Sequence, residues 1–177
     1  TGLLTGCYPN RLGMHGALGP GSRHGINPEE TTLAELCKSQ GYATAIFGKW
    51  HLGDHEKFLP TSHGFDEFFG IPYSNDMKFE GRPGIEDLFM MQQTGKTEAL
   101  RKILNDFLIA FEDPESSNYN VPLWRSRCDQ NGCEDELLEQ PTFQPNLTTR
   151  LTHEATRFIE EAKEEPFLLY LPYTMPH

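Results

Sequence analysis

A lysine and a histidine stand one residue apart at the end of a short apolar segment. Lys49 carries a compact positive charge, and His51 can take up or release a proton near neutral pH. In an extended chain, side chains two residues apart point to the same side, so both can face one ligand. The pair could therefore hold an anionic group and move a proton beside it. The alternative is a solvated lysine followed by a packed histidine.

A helix is predicted upstream of this pair. Thr32 and Glu35 match a capping box, in which each side chain satisfies a backbone N–H at the start of a helix. Leu33, Leu36 and Cys37 are spaced to form an apolar face on that helix. We therefore expect these three side chains to pack against a core.

The residues between this helix and the Lys–His pair predict a buried strand. Residues 43–47 are apolar and partly β-branched. In an open α/β sheet, ligands bind beyond the carboxyl ends of the parallel strands. The helix and strand therefore form a unit that places Lys49 and His51 at a ligand-binding edge.

A second helix–strand unit lies near the end of the chain. Apolar residues at helical spacing predict a helix over about 149–163, and residues 167–171 form the nearly continuous apolar run typical of an inner parallel strand. Two such units predict the α/β class, with a mostly parallel sheet flanked by helices. Between the units we expect a helix over 97–111 and a polar surface insertion over 113–144.

Charge and length narrow the classes of function. The 177 residues have a formal net charge of −11, which argues against a nucleic-acid surface or a polybasic membrane patch. Any sulfate or phosphate site must therefore be locally basic. The sequence has no apolar run of membrane-spanning length and no signal peptide. Because the chain lacks an initiator methionine and opens within a motif, we expect it to be an internal piece of a longer protein.

Several segments resemble the sulfatase family. GYATAIFGKWHLG is similar to the second sulfatase signature, and a His-Gly-Phe-Asp-x-Phe-x-Gly run continues into the Gly-Ile-Pro-Tyr-Ser of arylsulfatase A and its relatives. The matching segments are residues 5–14, 41–53, 63–74 and 167–177. The resemblance implies an alkaline-phosphatase-like sulfatase fold, with residues 1–177 forming part of a single catalytic domain. The resemblance is poor over the variable helix and insertion at 77–144.

The resemblance also implies roles for single residues in sulfate ester hydrolysis. Lys49 would neutralise the nucleophile and a sulfate oxygen. His51 would take a proton from the spare formylglycine hydroxyl, which expels sulfate from the covalent intermediate. His177, which trails the last strand, would contact the ester and help to protonate the leaving oxygen. Ser74 would hydrogen-bond a sulfate oxygen; its alternative is a turn serine.

Sulfatases make their formylglycine nucleophile from a cysteine in a C-x-P-x-R motif. Residues 7–11 have this form, but Leu-Leu-Thr-Gly precedes Cys7, so Cys7 falls where the family has an arginine. The resemblance therefore implies that the modified cysteine lies upstream of Thr1 and is converted by a formylglycine-generating enzyme. Cys7 as the nucleophile is the alternative.

The chain itself is expected to hold no metal. His51, Asp54 and His55 have the spacing of metal ligands on a helix, but the glycines and the proline around them do not support a helix. The family uses a divalent cation, usually Ca²⁺, whose ligands the resemblance places outside this chain. We therefore expect these residues alone to bind no calcium tightly and to have little or no sulfatase activity.

Two local features bear on the compartment. Cys128 and Cys133 flank a turn-forming stretch and could form a disulfide or remain free thiols. Asn146 begins an N-glycosylation acceptor triplet. With the family resemblance, these features favour a lysosomal, secreted or periplasmic protein.

The sequence is thus identified as a fragment of a sulfuric ester hydrolase of the arylsulfatase type. The implied substrate is a sulfated small molecule, glycolipid or glycan. One alternative is a phosphatase or phosphodiesterase of the same superfamily, which would need a Ser or Thr nucleophile and a zinc cluster. Another is a non-catalytic relative that binds sulfated glycans.

Overall fold

One mixed sheet organises the computed structural model, which describes residues 1–77, 85–112 and 119–176. Its strands are β1 (Ala43–Lys49), β2 (Glu67–Ile71), β3 (Leu123–Asp129), β4 (Gly132–Glu139) and β5 (Phe167–Tyr170). They lie in the order β4-β3-β2-β1-β5. Strand β1 pairs in parallel with both β2 and β5, whereas β3 is antiparallel to β2 and to β4. The carboxyl ends of the three parallel strands therefore lie at one edge.

Helices cover both faces of the sheet. They are α1 (Gly2–Thr5), α2 (Leu33–Ser39), α3 (Ile85–Gln93), α4 (Thr97–Glu112) and α5 (Leu147–Ala162), with short 3₁₀ turns at Pro9–Leu12, Glu56–Phe58, Pro60–His63 and Gln144–Asn146. The predicted flanking helices and both predicted parallel strands are confirmed, with boundaries within two residues. Strand β5 is not the inner strand that its apolar run predicts, because it lies at the edge of the described sheet and is only partly buried. No helix in the described ranges has the length and apolar character needed to cross a membrane.

The alternation of side chains along β1 divides the core into two clusters. Phe47 points into a cluster with the apolar face of α5, where Leu151 and Phe158 are buried. Ile46 points the other way, into a cluster with Ala34 of α2 and with the loops around β1. A strand that is buried on both faces must be apolar throughout, which explains the continuous apolar run in its sequence.

Helix α2 is capped as predicted but turns a different face to the core. Thr32 Oγ1 accepts a hydrogen bond from the Glu35 N–H at 3.2 Å, and Glu35 Oε2 accepts one from the Thr32 N–H at 2.6 Å. The predicted apolar face is wrong: Leu33 and Leu36 are 37% and 55% exposed. Ala34 is buried instead, because the start of the helix lies against the 60–64 turn.

The predicted surface insertion is also corrected, since part of it belongs to the sheet. Strands β3 and β4 lie within residues 113–144 and extend the sheet beyond β2. The polar side chains of β3 are satisfied by ion pairs: Arg125 contacts Glu154 of α5 at 2.7 Å. Because its charged side chains are paired, β3 can lie in the sheet although its composition is that of a surface loop. Residues 113–118 lie outside the described ranges.

Candidate active site

Lys49 is the last residue of β1 and lies between the ends of the two strands that flank it. Its N–H donates to the carbonyl of Pro172, just beyond β5, at 2.8 Å. On the other side, the N–H of Trp50 donates to the carbonyl of Ile71, the last residue of β2, at 3.0 Å. The hydrogen bonding of the sheet therefore continues one step past the strands and fixes the backbone that carries the lysine.

Two glycines allow the strands to approach each other at this edge. Gly48 has a φ of 142°, and a Cβ built on it would lie 2.1 Å from the carbonyl oxygen of Pro172. A Cβ on Gly70 of β2 would lie 1.9 Å from the carbonyl oxygen of Gly48. Real Cβ atoms do not come this close, so any side chain here would push the strands apart. The close packing of the strand ends therefore requires a glycine immediately before Lys49.

His51 does not sit in the extended chain that the sequence predicts. Its φ is +61°, in the left-handed region that costs a non-glycine residue about 1 kcal/mol or more. Two hydrogen bonds hold it there. Its N–H donates to the carbonyl of Pro72 at 2.9 Å, and its Nε2 lies 3.0 Å from the carbonyl of Leu18. Contacts to two other segments, rather than strand periodicity, therefore orient the imidazole.

Ser74 lies three residues beyond the end of β2, at the same edge of the sheet. It is 2% exposed, and its carbonyl accepts a hydrogen bond from the N–H of Met77, as in a turn. Gln144 fixes the next residue: its amide donates to the carbonyl of Asn75 at 2.7 Å and accepts from the Asn75 side chain at 3.1 Å. Gln144 is a supporting residue that no local sequence pattern pointed to, because it is distant along the chain.

His177 lies outside the described residues, so its predicted role stays a prediction. The chain that leads towards it begins at the same edge, since β5 is parallel to β1 and Pro172 accepts the hydrogen bond from Lys49. Thr174, further along this segment, is 1% exposed. The structure thus brings Lys49, His51 and Ser74 to one edge of the sheet. The segment after β5 begins at the same edge.

His63 is a buried structural residue behind this edge. Its side chain is fully buried, and its ring lies 6.0 Å from the indole of Trp50, between centroids. Burial lowers the pKa of His63, and the negative charge of Glu35 acts in the opposite direction. A neutral ring packed behind Trp50 supports the backbone between Lys49 and His51.

Tyr73, next to Ser74, stays protonated over the physiological range. Burial, together with the nearby negative charge of Asp54, raises the pKa of Tyr73 to about 12. The residue is 3% exposed. Tyr73 therefore lines this edge as a neutral side chain and does not act as a base.

The structure also places the cysteines and tests the possible metal ligands that the sequence singles out. Cys128 and Cys133 form a disulfide across the β3–β4 hairpin, near the amino-terminal end of β2, so it lies at the opposite edge of the sheet. Cys7 is a half-buried free thiol just after α1. Within the described residues, no group of three or more His, Cys, Asp or Glu side chains could hold a metal ion.

The chain belongs to the sulfatase family, whose model, described as Sulfatase, matches residues 1–177. It is 34% identical over 177 residues to arylsulfatase G of Mus musculus, covering 99% of this chain and 31% of that protein. It is 54% identical over 77 residues to arylsulfatase A of Bos taurus, covering 42% of this chain and 15% of that protein. The chain therefore spans about a third or less of the length of these relatives.

A solved structure agrees with the family assignment at the level of the fold. The PsFucS1 sulfatase from Pseudoalteromonas sp. superimposes with a TM-score of 0.66 at 24% identity, covering 99% of this chain and 33% of that one. The fold is the alkaline-phosphatase-like fold of sulfatases, of which this chain is one part. The predicted family and fold class are confirmed.

Proposed function

We propose that the protein containing this chain hydrolyses sulfate monoesters at the edge where β1, β2 and β5 end. The observation that carries the proposal is the position of Lys49 and His51 at the end of β1, between the hydrogen-bonded ends of the two neighbouring parallel strands. In a chain with a net charge of −11, this edge offers a cation and an imidazole for one anionic guest. Family membership makes a sulfate ester the favoured guest.

Lys49 would hold a sulfate oxygen. The ammonium group is a point charge with three donors, and its side chain is half-buried, which strengthens its attraction for an anion relative to open water. Ser74 would add a hydroxyl donor to a second oxygen. Charge that develops on the sulfonyl oxygens would then be met by groups that are already in place.

His51 would move a proton beside the ester. Its ring is held at the same edge by the Leu18 carbonyl and by its own backbone contact to Pro72. A histidine held in this way can act as a general base without reorienting. His177, at the end of the segment that passes Lys49, would protonate the leaving oxygen, as the family resemblance implies.

A formylglycine made from a cysteine upstream of Thr1 would supply the hydroxyl nucleophile at sulfur. The residues that are present fit this group, because a nearby cation favours an oxygen nucleophile and an imidazole can accept a proton from the spare hydroxyl of the group. The cation proposed for the family, Ca²⁺, does not fit the described residues, which hold no suitable group of three or more His, Cys, Asp or Glu side chains. Its ligands are proposed to lie elsewhere in the protein.

The proposed partners follow from this chemistry. They are a formylglycine-generating enzyme and a sulfated small molecule, glycolipid or glycan. A lysosomal, secreted or periplasmic location is supported by the Cys128–Cys133 disulfide, since disulfides persist in oxidising compartments. Asn146 is proposed to be glycosylated: it is exposed, and its side chain makes no capping hydrogen bond at the start of α5.

The proposal is tested with the full-length protein on nitrophenyl sulfate and nitrophenyl phosphate. We expect sulfate hydrolysis, with kcat/KM reduced about a hundredfold or more in Lys49→Ala and His51→Ala, because each removes a group that faces the developing charge or moves the proton. Lys163→Ala is the matched control, since this exposed lysine lies at the other end of the sheet, just before β5. It should leave kcat/KM unchanged.

Two outcomes would contradict the proposal. Faster hydrolysis of the phosphate ester would support the phosphatase alternative. No turnover of either ester, combined with binding of sulfated glycans that Lys49→Ala abolishes, would support a non-catalytic binder.

A further inference from the structure

Two loops at the candidate site are joined by three hydrogen bonds. Nε2 of His51 lies 3.0 Å from the carbonyl of Leu18, and the N–H of Ile26 donates to the carbonyl of Leu52 at 2.8 Å. Between these two contacts, the N–H of Gly21 donates to Oδ2 of Asp54 at 2.6 Å. The segment 18–26 is thus fastened to the segment 51–54.

The contact to Leu18 determines which ring nitrogen of His51 carries the proton. A carbonyl oxygen only accepts hydrogen bonds, so Nε2 must be the donor. A neutral imidazole carries one N–H, so its basic lone pair is then on Nδ1.

Asp54 holds the turn that presents this carbonyl. Residues 19–22 form a tight turn in which the Ser22 N–H donates to the Gly19 carbonyl at 3.2 Å. The carboxylate of Asp54 holds this turn to the 51–54 segment through its short, charge-assisted hydrogen bond from the N–H of Gly21. Leu18 immediately precedes the turn, so losing that bond would free the Leu18 carbonyl to move.

We propose that Asp54 is a positioning residue for the proposed sulfatase reaction, acting through the Leu18 carbonyl to keep His51 in the Nε2–H form with Nδ1 as the base. This inference rests on the proposed function for the role of His51 as a base. In the proton transfer, the O–H bond of the spare hydroxyl breaks and its electron pair stays on that oxygen. The Nδ1 lone pair forms the new N–H bond.

The test uses the full-length protein labelled with ¹⁵N-histidine, with the His51 signals assigned by their loss in His51→Gln. At a pH where the ring is neutral, we expect the wild type to show the Nε2–H tautomer. Asp54→Ala should show a mixture of both tautomers. Its kcat for a sulfate ester should fall about tenfold or more with little change in KM, because the base is misplaced while sulfate binding is retained.

Two further variants keep the test decisive. Asp54→Asn preserves the volume of the side chain but offers a weaker, neutral acceptor, so it should give an intermediate tautomer ratio even if Asp54→Ala does not fold. Glu56→Ala removes an exposed carboxylate two residues further on and should match the wild type in both readouts.

An unchanged tautomer ratio in the Asp54 variants would overturn the inference, whether or not kcat falls. A wild type already in the Nδ1–H form would overturn it as well. If His51→Gln hydrolyses sulfate esters at the wild-type rate, the proposed function fails instead. The tautomer comparison between wild type and Asp54→Ala would still decide whether Asp54 orients the ring.

Discussion

At the scale of single residues, the close approach at Gly48 is the sharpest constraint on the candidate site. Its backbone has a φ of 142°, and its missing Cβ leaves room for the Pro172 carbonyl. That carbonyl is the acceptor for the N–H of Lys49, so the same contact fixes the lysine and the segment after β5. A side chain at position 48 would separate the two strands where the substrate is proposed to bind.

Gly48→Ala should therefore destabilise the protein more than backbone strain alone does. Strain at such a φ costs roughly 1–3 kcal/mol, and displacement of the Pro172 backbone adds to this. Gly41→Ala is the matched control, because Gly41 has a φ of +79° with nothing within 4 Å of the added Cβ. Urea unfolding of the full-length variants measures the difference, and equal losses of free energy would contradict the clash.

The conformation of His51 could not be predicted from its own residue type or spacing. A run of β-branched and aromatic residues predicts an extended chain, and a non-glycine residue rarely adopts a positive φ. The left-handed turn at His51 depends on the carbonyls of Pro72 and Leu18, which are distant in the sequence. The identity of the residue was predictable, whereas its orientation was not.

At the scale of elements, Thr32 links α2 to the turn before β2. Its Oγ1 accepts from the Glu35 N–H and donates to the carbonyl of His63 at 2.7 Å, and the residue is fully buried. One hydroxyl thus caps the helix and satisfies a buried carbonyl. It also explains why α2 turns Ala34, rather than its leucines, to the core.

Thr32→Ala should lower the free energy of unfolding by about 1 kcal/mol for the lost cap. A further penalty of about 1–3 kcal/mol is expected for the His63 carbonyl that loses this donor. Thr32→Ser keeps the hydroxyl and should recover most of the loss. Thr156→Ala, at an exposed position of α5, is the control and should be close to neutral. A loss no larger than that of the control would show that the cap is dispensable.

The parallel elements were predictable from the sequence and the antiparallel ones were not. Strand β1 is buried and β5 is partly buried, so both consist of apolar residues and the pattern is visible in the sequence. Strand β3 carries Arg125 and Arg127 because their charges are paired with Glu154 and Glu67 of neighbouring elements. Pairing of this kind depends on tertiary contacts, and the local sequence gives no sign of it.

At the scale of the whole molecule, the candidate site and the disulfide lie at opposite edges of the sheet. Lys49 ends β1, and His51 and Ser74 follow the carboxyl ends of β1 and β2, whereas the Cys128–Cys133 disulfide links β3 and β4 at the opposite edge. The overall charge is negative, so binding of an anion depends on the local groups at the first edge. This edge is where we propose that the sulfate ester binds.

A crystal structure of the full-length protein with bound inorganic sulfate, the product of the proposed reaction, tests this claim most directly. We predict sulfate oxygens within about 3 Å of Lys49 Nζ and of at least one of His51, Ser74 and His177. Sulfate bound elsewhere in the domain, with this edge empty and the Lys49 side chain turned away from His177, would contradict the account.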